Sequence, residues 1–149
     1  MKSGIINVYK EKGYTSFDVV AKLRGILKTR KIGHTGTLDP DAEGVLPVCI
    51  GRATKVCDLL TEKDKEYEAV MLLGVETDTQ DTSGEVLNKT PVEVSEEAVK
   101  EAILSYVGDY DQVPPMYSAL KVNGKKLYEL AREGKTVERK ARTVHIFSI

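Results

Sequence analysis

The order of apolar and polar residues predicts three well-defined elements in the first third of the chain. Residues Ile5–Tyr9 form an apolar run that predicts a β-strand, and Val45–Ile50 predict a second, buried strand. Between them, Ser16 is a suitable helix cap, and the residues that follow predict a helix to about Leu27. One apolar stripe of this helix is expected to face the core; it comprises Phe17, Val20, Leu23, Ile26 and Leu27.

The remaining pattern is that of an α+β domain around one mixed, mostly antiparallel sheet flanked by helices. Helices are predicted over 53–60, from Ser95 through Tyr106, and over 126–133. Strands are predicted over 66–73, 85–88, 118–122 and 143–149. Asn123-Gly124 is a typical hairpin turn after the third of these strands.

The polar stretch Gly33–Pro40 is the strongest candidate for chemistry. It contains one carboxylate, Asp39, and the following Pro40 disfavours helical geometry at that residue. Gly33 and Gly36 allow tight bends or a close approach of the backbone to a ligand. The stretch therefore indicates a loop in which a substrate meets a single acid.

The carboxylates of this region also suggest other chemistries. Asp39, Asp41 and Glu43 alternate like the first ligands of a calcium loop, but the twelfth position, which should be glutamate, is Ile50. No metal site is therefore expected. Asp39 and Asp41 could supply a glycosidase pair, although nothing else in the sequence indicates a sugar substrate. The chain has no phosphate-binding loop of the Walker type and no Gly-x-Ser-x-Gly motif for a serine hydrolase.

Charge is unevenly distributed along the 149 residues, although the net charge is −1. Residues 1–60 hold 10 Lys or Arg and 6 Asp or Glu, residues 61–111 hold 4 and 14, and residues 112–149 hold 8 and 3. The two basic flanks are candidates for contacts with phosphates, and the acidic middle is expected to be a solvated face.

Cys49 and Cys57 are expected to be buried free thiols of a cytosolic protein. No apolar run reaches the roughly 18 residues of a membrane helix.

Three ordered blocks closely resemble the TruB family, the tRNA pseudouridine-55 synthases. The first block runs from Gly33-His34-Thr35-Gly36-Thr37-Leu38-Asp39-Pro40 through Gly44-Val45-Leu46-Pro47 to Gly51-Arg52-Ala53-Thr54-Lys55. The second is Asp64-Lys65-Glu66-Tyr67, and the third is Pro115-Met116-Tyr117-Ser118-Ala119-Leu120-Lys121 with Gly124-Lys125-Lys126-Leu127-Tyr128. The resemblance implies the pseudouridine-synthase catalytic fold and the isomerisation of a T-loop uridine of tRNA to pseudouridine.

The resemblance also implies roles for three residues. Asp39 would be the catalytic nucleophile, His34 would stack against displaced RNA bases, and Tyr67 would stack on the target base beside the aspartate. Without the resemblance, His34 would be a turn-capping residue and Tyr67 a packed strand residue. The implied partner is the T arm of tRNA, and no metal, organic cofactor or membrane is implied.

The chain differs from the family pattern in three respects. It carries Tyr9-Lys10-Glu11 where the family has Asp-Lys-Pro, and Glu43 where a small hydroxyl residue is usual. Family members also continue with a strand whose arginine pairs with the aspartate, and then with an RNA-binding domain. We therefore expect residues 1–149 to be the N-terminal portion of a catalytic domain, folded but inactive alone, with an open sheet edge that favours self-association. The alternative function is a non-catalytic RNA-binding or scaffold fragment.

Overall fold

The computed structural model describes residues 3–61, 63–118 and 120–149. The chain divides into two compact units, Met1–Glu68 and Ala69–Ile149. No helix in the described ranges is both long and apolar enough to cross a membrane. Among the described residues, all pairs of strands are antiparallel, and they fall into four separate sheets instead of the single sheet that the pattern predicted.

The first unit contains a three-stranded sheet covered by one long helix. Its strands are β1 (Gly4–Lys10), β2 (Ile32–His34) and β3 (Gly44–Ile50), and β3 lies in the centre. Helix α1 spans Ser16–Leu27, and a 3₁₀ turn over Gly51–Val56 leads into the short helix α2 (Cys57–Thr61). The strands expected over Ile5–Tyr9 and Val45–Ile50 and the helix between them are confirmed.

The core of this unit forms between α1 and the sheet. Its buried members are Val19 and Val20 of α1, Ile32 of β2, and Leu46 and Val48 of β3. The predicted stripe of α1 was partly wrong, because Phe17, Ile26 and Leu27 are exposed. The buried face instead follows Ser16, Val19, Val20 and Leu23, which is the i, i+3, i+4, i+7 spacing of one helix face. Thr15, rather than Ser16, is the helix cap.

The second unit consists of hairpins, paired strands and two helices. In chain order its elements are β4 (Val75–Thr77), β5 (Val86–Lys89), α3 (Glu96–Leu104), β6 (Gly108–Gln112), β7 (Lys121–Val122), β8 (Lys125–Lys126), α4 (Leu127–Arg132) and β9 (Arg142–Ile146). Sheet pairs are β4–β5, β6–β9 and β7–β8. The hairpin at Asn123-Gly124 is confirmed, with φ of 51° and 84°, whereas part of the predicted strand around it falls on Ala119, outside the described residues.

The strand predicted over 66–73 is wrong. Residues 64–72 have no regular structure, and Val70 is 97% exposed. A run of strand-forming residues becomes a strand only where a neighbouring strand supplies hydrogen-bond partners, and the described part of the chain pairs none with this run.

Candidate active site

Asp39 lies in the loop between β2 and β3 of the first unit, and its side chain is exposed. Its own carbonyl accepts a hydrogen bond from the amide of Ala42 at 3.1 Å, which closes a turn at the end of the loop. Across the described residues, none of the hydrogen bonds or ion pairs involves the Asp39 carboxylate. The carboxylate is therefore open to a substrate, and the backbone that carries it sets the direction of the Cα–Cβ bond of Asp39.

That backbone is attached to the β1–α1 segment on both sides of Asp39. Before it, the amide of Leu38 donates to Ser16 Oγ at 3.0 Å, and Ser16 Oγ donates to the Leu38 carbonyl at 3.3 Å. After it, the carbonyl of Pro40 accepts from the amide of Gly13 at 2.8 Å and from Lys10 Nζ at 3.5 Å. The loop is thus fixed immediately before and immediately after the acid.

Lys10 is a residue of this site that the sequence did not reveal. It is 0% exposed, although it is a lysine, and its Nζ also donates to the carbonyls of Tyr14 at 2.7 Å and Glu11 at 3.0 Å. A buried ammonium needs such acceptors, because burying it unpaired is costly. The detectable signal was a lysine at the end of an apolar strand, directly before a turn.

The far end of the loop also has a constrained geometry. Gly44 begins β3 with φ of 144°, a conformation that residues with a side chain rarely adopt. Next to it, Glu43 lies beside Tyr9 of β1; partial desolvation and then the Glu43 charge raise the pKa of the Tyr9 phenol. Glu43 thus interacts with a residue of β1.

Within the described ranges, no group of three metal-ligating side chains is assembled.

His34 is the last residue of β2 and is half-buried. Its Nδ1 donates to the carbonyl of Gly36 at 2.5 Å, since that oxygen can only accept, and this bond fixes the ring relative to the loop. The ring lines a cavity of about 510 Å³. His34 thus directly precedes the loop that carries Asp39, five residues further on in sequence, and Asp39 is not among the residues that line this cavity.

The cavity beside His34 is strongly basic and has an exposed aromatic ring. Arg24, Arg30 and Lys31 line it, and the guanidinium of Arg24 lies 5.5 Å from the centre of the Phe17 ring. A second cavity of about 760 Å³ shares Arg24 and Arg30 and adds Lys28. Among the ion pairs of the described residues, none engages any of these cations. The first basic flank of the sequence thus gathers at the end of α1.

Tyr67 lies in the irregular segment that follows α2, and its side chain is 71% exposed. It belongs to the same compact unit as Asp39 and His34. The proximity of its ring to Asp39 stays a prediction.

The two cysteines are free, as expected, but they differ in burial. Cys49 is buried in β3, whereas Cys57 is half-buried and lines the cavity beside His34. The pKa of the Cys57 thiol is raised to about 11, mainly by desolvation and to a smaller extent by a hydrogen bond with Cys49. Gly33 packs here, since a Cβ at this position would lie 3.2 Å from Cys57 Sγ.

Known proteins resemble this chain in sequence and in fold. It is 69% identical over 147 residues to a tRNA pseudouridine synthase B of Lachnoclostridium phytofermentans, covering 99% of this chain and 48% of that protein. Identity to the protein of the same name from Alkaliphilus oremlandii is 53% over 147 residues, which cover 99% of this chain and 49% of that protein. The chain thus spans about half the length of these curated relatives.

Solved structures agree with the sequence comparison. The crystal structure of a Cbf5-Nop10-Gar1 complex matches 95% of this chain and 33% of the chain compared, with a TM-score of 0.58 and 28% identity. A structure of an H/ACA RNP bound to a substrate RNA containing 2′-deoxyuridine matches 81% of this chain and 34% of the chain compared, with a TM-score of 0.50 and 27% identity. The expected pseudouridine-synthase fold is therefore confirmed. Residues 24–149 match the family model of the TruB family pseudouridylate synthase N-terminal domain, and the chain belongs to this family.

Proposed function

We propose that the protein containing this chain isomerises the uridine at position 55, in the T loop of tRNA, to pseudouridine. Asp39 serves as the nucleophile, and residues 1–149 form the N-terminal portion of the catalytic domain. Membership of the pseudouridylate synthase family and the name shared by the relatives support this reaction and substrate. Because the substrate is tRNA and both thiols are free, we place the protein in the cytoplasm.

The observation that carries the proposal is the exposed Asp39 carboxylate in a loop that is hydrogen-bonded on both sides. A nucleophile must be accessible and must also be held in a defined geometry before the substrate arrives. Asp39 meets both conditions, because Leu38 and Pro40 are attached to the β1–α1 segment while the acid itself is free.

The reaction is balanced without a co-reactant. The bond between C1′ of the ribose and N1 of uracil breaks, the base turns, and a bond forms between C1′ and C5. The proton on C5 is lost and N1 gains one, so that product and substrate are isomers. A carboxylate that reacts and is later released is sufficient for such a sequence, and no metal or organic cofactor is proposed.

The surroundings of His34 suit an RNA substrate. A uridine in a folded loop must leave its stack before an enzyme can act on its glycosidic bond. Arg24, Arg30 and Lys31 offer three cations to the phosphates beside the flipped nucleotide, and the His34 ring offers a face to a displaced base. We propose the same stacking role, on the target base, for Tyr67.

The site of modification can be tested on transcribed tRNA, which lacks modified bases. The full-length protein is incubated with the transcript and with a control transcript carrying cytidine at position 55, and pseudouridine is mapped by carbodiimide modification and primer extension. We expect one pseudouridine, at position 55, in the first transcript and none in the control. Pseudouridine at another position, or none in either transcript, would contradict the proposed function.

A further inference from the structure

The Ser16 hydroxyl, in the first turn of α1, makes two hydrogen bonds to the loop between β2 and β3 that carries Asp39. It accepts from the amide of Leu38 at 3.0 Å and donates to the carbonyl of the same residue at 3.3 Å. Ser16 is 3% exposed and lies on the buried face of α1 beside Val19 and Val20. A serine on a buried helix face needs such partners, and here both come from the residue directly before Asp39.

These bonds are not needed to begin the helix. Thr15 caps α1: its side chain accepts from the amide of Asp18, and the Asp18 carboxylate accepts from the Thr15 amide at 2.9 Å and from Thr15 Oγ1 at 2.6 Å. The first turn is therefore complete without the Ser16 hydroxyl. Its contribution goes to the loop, 22 residues away in sequence.

Leu38 is held by its side chain as well as by its backbone. The side chain packs against the core formed by α1 and the sheet, and Ser16 satisfies both of its backbone polar groups. The peptide that leads into Asp39 therefore cannot rotate without breaking a partly buried hydrogen bond. On the other side, Pro40 is held by its carbonyl alone.

We infer that Ser16 is a positioning residue for the proposed nucleophile: its hydroxyl holds the Leu38–Asp39 peptide and so sets the point and direction from which the Asp39 side chain leaves the backbone. The inference rests on the proposed function of Asp39. Ser16 itself does not touch the substrate. Its removal should therefore slow the chemical step and leave tRNA binding in place.

The test compares Ser16→Ala with Thr15→Ala in the full-length protein. Both substitutions remove a hydroxyl from the same end of α1, but only the first breaks the bonds to Leu38. Single-turnover pseudouridine formation and the Kd for tRNA are measured for each variant, at a temperature where circular dichroism shows it folded. A misplaced reacting group costs up to about 100-fold in rate. We expect Ser16→Ala to lose roughly 10- to 100-fold in rate with a Kd within about threefold, and Thr15→Ala to keep both values.

Rescue by Ser16→Thr separates the hydroxyl from the packing. This variant keeps the donor and acceptor, so its rate should stay within about fivefold of the unsubstituted protein, well above that of Ser16→Ala. If Ser16→Ala does not fold, Ser16→Cys replaces it, because a thiol is a weaker donor and acceptor, and its rate should be reduced. An unchanged rate for the variant measured, equal losses in Ser16→Ala and Thr15→Ala, or a Ser16→Thr variant as slow as Ser16→Ala would overturn the inference.

The two proposals fail in different ways. If Asp39→Asn still forms pseudouridine on the same tRNA, the proposed function of Asp39 is wrong. If Asp39→Asn is inactive and Ser16→Ala reacts at the full rate, Asp39 keeps its role and the positioning inference alone is wrong.

Discussion

Replacing Lys10 by methionine should destabilise the fold at the turn to which the Asp39 loop is hydrogen-bonded. Lys10 ends β1, is 0% exposed, and donates from Nζ to the carbonyls of Tyr14, Glu11 and Pro40. Methionine has a similar length and fills much of the same space, but it has no charge and no donor. The substitution therefore removes the hydrogen bonds while keeping most of the packing.

The magnitude follows from the bonds that are lost. The contact with Pro40, at 3.5 Å, is at the limit of a hydrogen bond, and that carbonyl also accepts from Gly13 at 2.8 Å, so two bonds remain to be counted. A hydrogen bond to a charged group contributes about 1.5–3 kcal/mol. Because Glu11 is exposed, water can replace part of the contribution of the hydrogen bond to its carbonyl. We expect the free energy of unfolding to fall by about 2–4 kcal/mol, a large share of the roughly 5–15 kcal/mol of a typical domain.

The measurement is urea unfolding of the purified protein, followed by circular dichroism. Lys12→Met is the matched control, since Lys12 is exposed and lies in the same turn; its free energy of unfolding should change by less than about 0.5 kcal/mol. A loss below that size for Lys10→Met would refute the view that the buried ammonium holds this turn together.

Three further predictions concern the site and the chain as a whole. Base–aromatic stacking contributes about 1–3 kcal/mol, so His34→Ala and Tyr67→Ala should each raise the tRNA Kd by roughly one to two orders of magnitude. An unchanged Kd for either variant would show that its ring does not stack on the substrate. The pKa of the Cys57 thiol is raised to about 11, so the reactive thiolate forms only at high pH. In the unsubstituted protein, alkylation of Cys57 by iodoacetamide, followed by mass spectrometry of the peptide that contains it, should keep accelerating from pH 8 to beyond pH 10; a plateau near pH 9 would contradict the raised pKa. The 149-residue chain alone should be folded, should form little or no pseudouridine in a single turnover, and should self-associate in light scattering; a rate equal to that of the full-length protein would show that the rest of the protein is dispensable.

The local pattern of apolar and polar residues was sufficient to predict elements that pack against partners close in sequence. β1, α1 and β3 follow the expected ranges, because their apolar residues form one core within 50 residues of sequence. The short strand β2 was missed, since three residues that include Gly33 carry little periodic signal. The polar strand β6, Gly108–Gln112, was missed as well, because only its pairing with β9 makes it a strand.

The loop that exposes Asp39 was predictable from the sequence, whereas the residues that hold this loop were not. Pro40 and the surrounding glycines indicated a loop that exposes Asp39, and the structure has this loop. The bonds from Ser16 to Leu38 and from Lys10 to Pro40 span 22 and 30 residues, and no spacing rule links such positions. They depend on how α1 packs on the sheet, which local pattern does not fix.

The most direct test of the account is the activity of Asp39→Asn beside Asp41→Asn. Both residues are exposed aspartates of one loop, and amidation keeps the size of each side chain while removing its charge. In the full-length protein, Asp39→Asn should lose at least about 10⁴-fold in single-turnover pseudouridine formation, as expected for removal of a nucleophile, and should bind tRNA within a few fold. Asp41→Asn should keep a rate within about threefold of the unsubstituted protein. Substantial pseudouridine formation by Asp39→Asn, or an equal loss in both variants, would contradict the assignment of Asp39 as the nucleophile.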